Sequence, residues 1–83
     1  MSGALYAAFL RNVNLGRPRS PTRAQLQEAF LAAGAERASS FLVNGTLVFA
    51  PAHGVRPRAV AARACEAMRA VCGLREPVFV RRL

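Results

Sequence analysis

Asn44-Gly45 sits between two short β-prone runs, ASSFLV at 38–43 and TLVFA at 46–50, and no other feature restricts the fold so firmly. The dipeptide supplies the positive φ values of a two-residue hairpin, so the runs should pair as adjacent antiparallel strands. Helix signals bracket this hairpin. Upstream, Ser20 reads as an N-cap with Pro21 at the first helical position, Leu26, Ala29, Phe30 and Ala33 recur at helical spacing, and Gly34 follows. Downstream, Pro57 opens a second helix whose stripe of Val60, Ala64, Ala67, Met68 and Val71 runs to Gly73. Apolar runs at 4–11 (ALYAAFLR) and 77–83 (PVFVRRL) read as strands at either end. The predicted order is therefore β-α-β-β-α-β, a ferredoxin-like α+β two-layer sandwich with both helices on one face of an antiparallel sheet ordered 4-1-3-2.

At 83 residues the chain has room for one domain, residues 1–83. Its hydrophobic share is 53%, but 17 of those residues are alanine, so the core is expected to be thin. A small domain with little large apolar surface comes out near thermodynamic balance, which makes a partner expected.

All twelve basic residues are arginine, against four glutamates and no aspartate, for a net charge of +8. That balance favours polyanions, acidic surfaces or phosphate-bearing ligands. Arginine without lysine beside abundant alanine is also what a biased coding sequence produces, so the arginines carry meaning only where the fold gathers them.

Several classes fall away. Arg11, Arg37, Arg63 and Arg69 interrupt every apolar stretch that could approach a membrane span. No basic segment followed by an apolar core opens the chain, so a cytoplasmic protein is expected. Cys65 and Cys72 stand seven residues apart, about 10.5 Å along a helix axis, too far for a disulfide; two reduced, core-packed thiols are expected. With one histidine, His53, read as a surface loop residue, and no Gly-x-Ser-x-Gly, P-loop or HExxH spacing, no catalytic set, metal site or cofactor is expected.

Two constellations remain. The predicted topology brings the first loop, the hairpin tip and the start of the first helix to one end, gathering Arg11, Asn14, Arg17, Arg19, Ser20 and Asn44. Arginine forks beside a helix N-terminus suit an anionic ligand, whereas the plainer reading has solvated loop arginines and a capping serine. The second is the sheet face that the helices leave open. The first strand is apolar on both parities and the third carries no charge, so that face is expected to be apolar and to self-associate, with Tyr6, Ala8, Leu10 and Val48 as its interface residues in a homodimer.

The same element order builds the RNA recognition motif, whose third strand needs a basic-Gly-aromatic-x-aromatic run. Here that strand reads Asn44-Gly45-Thr46-Leu47-Val48-Phe49, so specific RNA readout is not expected, and nucleic-acid association through arginine–phosphate contacts stands as the alternative to self-association.

Three segments, YAAFLRNVNLG, FLVNGTLVF and GLREPVFVRR, resemble in order the Y-x-A-L-L-R-G-I-N-V-G, Y-I-x-S-G-N-V-V-F and G-F-x-V-P-V-x-V-R segments of the N-terminal half of the bacterial DUF1697 family. Arg11, Asn14 and Gly16 match the opening, Gly45 the hairpin glycine, and Pro77 and Arg81 the last segment. Asn12 replaces a family glycine, and Asn44-Gly45-Thr46 replaces the family's S-G-N. The resemblance implies a ferredoxin-like sheet and no established activity. Family members usually continue into a second domain that could cover the open face; here another copy, or a different protein, is expected in that place.

Overall fold

The computed structural model describes residues 4–10, 20–40, 46–74 and 78–83. Along the chain these form β1 (Tyr6–Leu10), α1 (Arg23–Ala32), β2 (Ala35–Ser40), β3 (Thr46–Pro51), α2 (Pro57–Cys72) and β4 (Val78–Arg82). The strands make one antiparallel sheet ordered β2-β3-β1-β4, the predicted order read from the opposite edge, and the layout is ferredoxin-like. The hairpin tip at 41–45 lies outside the described residues; the strands flanking it are antiparallel neighbours, but Ser40 stands opposite Leu47, whereas a two-residue turn at Asn44-Gly45 would set it opposite Phe49.

Helix α1 begins two residues later than its serine suggests. Thr22, not Ser20, is the N-cap: its hydroxyl accepts from the Gln25 N–H at 3.1 Å, and the Thr22 N–H donates to Gln25 Oε1 at 2.8 Å. This reciprocal box satisfies two donors at once, which a lone serine before a proline cannot do. The helix then turns sharply into β2 through Gly34 at φ +120°, where a Cβ would stand 3.1 Å from a Val55 methyl. Strand β2 starts at Ala35 rather than 38, with an irregularity between Ala35 and Arg37. Glu36 and Arg37, ahead of the β-prone run, are both exposed on this edge strand, where polar side chains reach water without breaking the ladder.

Helix α2 opens at Pro57 and closes on Gly73, which is left-handed at φ 78° and donates its N–H to the Arg69 carbonyl at 3.0 Å. Its buried stripe runs through Val60, Ala61, Ala64 and Met68. Ala67 and Val71 fall outside it, Val71 being 57% exposed, while Cys65, Cys72 and the following Leu74 pack on the core instead.

The core lies between the helices and one side of the sheet. Leu26 and Phe30 of α1 and Val60 of α2 meet Leu47 and Phe49 of β3, all fully buried. Phe49 is central, its ring 5.0 Å from Phe30 and 6.0 Å from Tyr6. Each such side chain contributes roughly 1.5–3 kcal/mol through burial. Alanines fill the rest of the cluster, Ala8, Ala29, Ala61 and Ala64 among them, as a chain poor in large apolar residues requires. Gln27 ties α1 to the sheet by accepting the Ser40 N–H at 2.9 Å.

Candidate functional site

Register decides which side of the sheet each strand residue occupies, because successive side chains alternate. Tyr6 stands opposite Phe49 and Ala8 opposite Leu47, and both partners are core residues. Tyr6, Ala8 and Leu10 therefore face the helices: Ala8 and Leu10 are buried, and Tyr6 is half-buried against the core. This corrects their expected place on the open side. Only Val48 of the four expected interface residues stands there, paired with Ala7.

The open side is built from the other parity. Phe9 faces Thr46 on β3 and Phe79 on β4; Ala7 faces Val48 and Arg81; Ser39 stands beside Val48, and Arg37 beside Ala50. Leu5 joins this row at its lower end, its carbonyl accepting from the Leu83 N–H at 2.9 Å. Three large apolar side chains are uncovered here: Leu5 at 39% exposure, Phe9 at 40% and Phe79 at 50%. Ala7 and Ala50 are buried between larger neighbours. A shallow depression of about 490 Å³ is lined partly by Leu5, Arg37, Ser39, Val48 and Ala50.

The face is thus not wholly apolar. The middle of the sheet gives Leu5, Phe9 and Val48, while the edge strands add exposed Arg37 and Ser39 on one side and exposed Phe79 and Arg81 on the other. An apolar centre with a polar, arginine-bearing rim is the anatomy of a protein interface. Phe9 and Phe79 were missed at the level of sequence, although the alternation in VFVRR, which sets Phe79 and Arg81 against Val78 and Val80, carries the signal.

Of the residues gathered at the arginine-rich end, Arg11, Asn14, Arg17, Arg19 and Asn44 lie outside the described residues. Ser20 is described and half-buried, and the helix start beside it is occupied by its own capping box. Among the described residues, Arg69 pairs with Glu66 at 3.1 Å, both well exposed, a contact worth little to stability.

His53 is exposed in the turn after β3 and shares the lining of a small pocket, about 220 Å³, with Tyr6 and Glu36. No group of three His, Cys, Asp or Glu side chains able to hold a metal forms among the described residues. Both cysteines are free and half-buried. Burial pushes the Cys65 thiol up, with Arg69 pulling it down and Glu66 adding to the rise; the Cys72 thiol donates to the Met68 carbonyl at 3.3 Å. No helix among the described residues is long and apolar enough to cross a membrane.

A family model described as "Protein of unknown function (DUF1697)" matches residues 4–83. No curated protein and no solved structure matches the chain.

Proposed function

The chain belongs to the DUF1697 family of proteins of unknown function, and we propose that this member is a non-catalytic binding module that self-associates through the open face of its sheet. The observation that carries this reading is the row of Leu5, Phe9 and Phe79, large apolar side chains uncovered on one face of a small domain. Bringing a second copy onto that row removes apolar area from water at roughly 25 cal/mol per Å², while Arg37, Ser39 and Arg81 stay hydrated at the rim.

Each protomer carries +8, so two copies repel at long range. Added salt screens that repulsion and should strengthen the dimer. Sedimentation equilibrium tests the proposal directly. The wild-type chain should shift from monomer to dimer with concentration, more readily at high salt, and Phe9→Glu/Phe79→Glu should remain monomeric. A wild-type monomer at every reachable concentration and salt overturns it.

A second reading rests on one pair. Phe9 and Phe79 are register partners, and Arg81 stands on the same face, an arrangement on which unpaired bases could stack with phosphates held by arginine. This nucleic-acid reading predicts the opposite salt response, since binding that releases counterions weakens as salt rises. Unchanged mobility of single-stranded DNA and RNA at low salt removes it. Anion binding by Arg11, Arg17 and Arg19, with Asn14, Ser20 and Asn44, is a separate proposal. Phosphate titration of the wild type against Arg17→Ala/Arg19→Ala tests it, and equal responses would end it.

A further inference from the structure

The sheet has two edges, and they are finished differently. At the β2 edge the ladder is broken by the irregularity between Ala35 and Arg37, and the Ser40 N–H is taken by Gln27 Oε1. Both devices blunt an edge against further strands. The β4 edge shows neither among the described residues. Its five residues pair with β1 in unbroken register, from Leu10 opposite Val78 to Tyr6 opposite Arg82. The Leu83 N–H donates to the Leu5 carbonyl, which by antiparallel alternation turns the amides of Arg81 and Phe79 toward β1 and those of Val80 and Arg82 away from it, along the outer edge.

Beside that outer edge runs a groove of about 470 Å³ between β4 and α2. Ala61 and Ala62 form its helical wall. Arg58 stands on the helix side and Arg81 on the strand side, both exposed, and no acidic side chain among the described residues lines the groove.

We infer that the β4 edge takes an extended acidic peptide segment as a fifth strand. Its backbone would pair with the outward groups of Val80 and Arg82, and its carboxylates would meet Arg58 and Arg81. Backbone pairing gives such a site its hold, and the two arginines give it sign selectivity. Charge complementarity singles out this occupant: a second copy brings another +8 to a groove whose charged side chains, among the described residues, are the two arginines, whereas an acidic strand brings the opposite charge. The inference does not rest on the open-face reading: the backbone groups of Val80 and Arg82 that it uses point along the edge, although Phe79 and Arg81 belong to both surfaces.

The test uses a fluorescein-labelled peptide of alternating glutamate and valine, followed by anisotropy at low salt. Saturable binding is expected, together with slowed hydrogen exchange at the Val80 and Arg82 amides. Arg58→Glu/Arg81→Glu, checked for folding by circular dichroism, should weaken it about tenfold or more. The same peptide with every amide nitrogen methylated, and its lysine-for-glutamate counterpart, should both fail to bind. Absence of binding overturns the inference. So does equal binding by the methylated peptide, unaltered exchange at Val80 and Arg82, or displacement by oligo(dT) with no preference for peptide, since each makes the groove a nonspecific cationic patch. The open-face reading is judged separately, by the oligomeric state of Val48→Glu, which lies on β3, outside the groove and two strands from β4, and should leave peptide binding in place.

Discussion

The two sides of the sheet are made by the same four strands and spend their apolar residues in different ways. On the covered side, Leu47 and Phe49 disappear beneath α1 and α2, and Phe49 touches aromatic rings above and beside it. On the open side, Phe9 and Phe79 stand beside each other in register and remain about half in water. A phenylalanine is therefore structural or available according to the parity of its position, and hydrophobicity alone does not separate the two. What separates them is the other layer: two helices exist to bury one side, and nothing within the described residues covers the other.

The sharpest way to break this comparison is to truncate one phenylalanine on each side. Phe49→Ala removes a fully buried ring from a thin core and should cost about 3–5 kcal/mol, enough to unfold much of a small domain. Phe79→Ala should shift the urea midpoint little, because a half-exposed ring on an edge strand has little burial to lose. Equal losses in the two melts would mean that the open side is also core.

A finer comparison uses Ala7 and Ala8, adjacent in sequence and both buried, but covered from opposite directions. Ala8→Leu must push into packed core and should destabilise by about 1–3 kcal/mol. Ala7→Leu meets only Val48, Arg81 and their exposed neighbours, which can yield toward solvent, and its penalty should be clearly smaller. Matching penalties would show the open side to be as tightly packed as the covered one.

The smallest expected effect is chemical. Cys65 lies against the core, and burial, partly offset by Arg69, raises its thiol. A raised folded-state value means that the unfolded chain releases this proton first as pH climbs. The contribution to stability is then complete below the ordinary thiol range and is lost through the alkaline window that ends at the raised value. Cys65→Ala should flatten that part of the stability–pH curve, and an unchanged curve would place the alkaline loss elsewhere.

Much of the fold was legible because its signals are local. Gly34, Pro57 and Gly73 each mark a boundary by backbone chemistry, and the β-prone runs between and beside them supply the strands. The capping box was legible too, in Thr22-x-x-Gln25, but Ser20-Pro21 is the louder helix-start pattern and masks it. The orientation of the open face was not local. From Leu5 to Leu10 both parities are apolar, Leu5/Ala7/Phe9 and Tyr6/Ala8/Leu10, so this segment by itself gives no reason to prefer either. The tyrosine, with its hydroxyl, suggests the solvent side, yet register against Phe49 turns it inward. Only the partner strands break the tie, through Thr46 on β3 and Arg81 on β4, and pairing partners are set by the whole sheet. In α2, likewise, Val71 outranks Cys72 in hydrophobicity, yet it is the cysteine that packs, half-buried, against the core.

The place of β1 in the middle of the sheet has a consequence for how the chain assembles. One of its neighbours, β4, is the last strand of the sheet to leave the ribosome, and Ala7 must meet Arg81 across nearly the full span of the domain. Closing so long a loop comes late and slowly in folding, so during synthesis the most apolar strand waits with one flank unzipped, the interval in which a chaperone or a neighbouring nascent chain would find it.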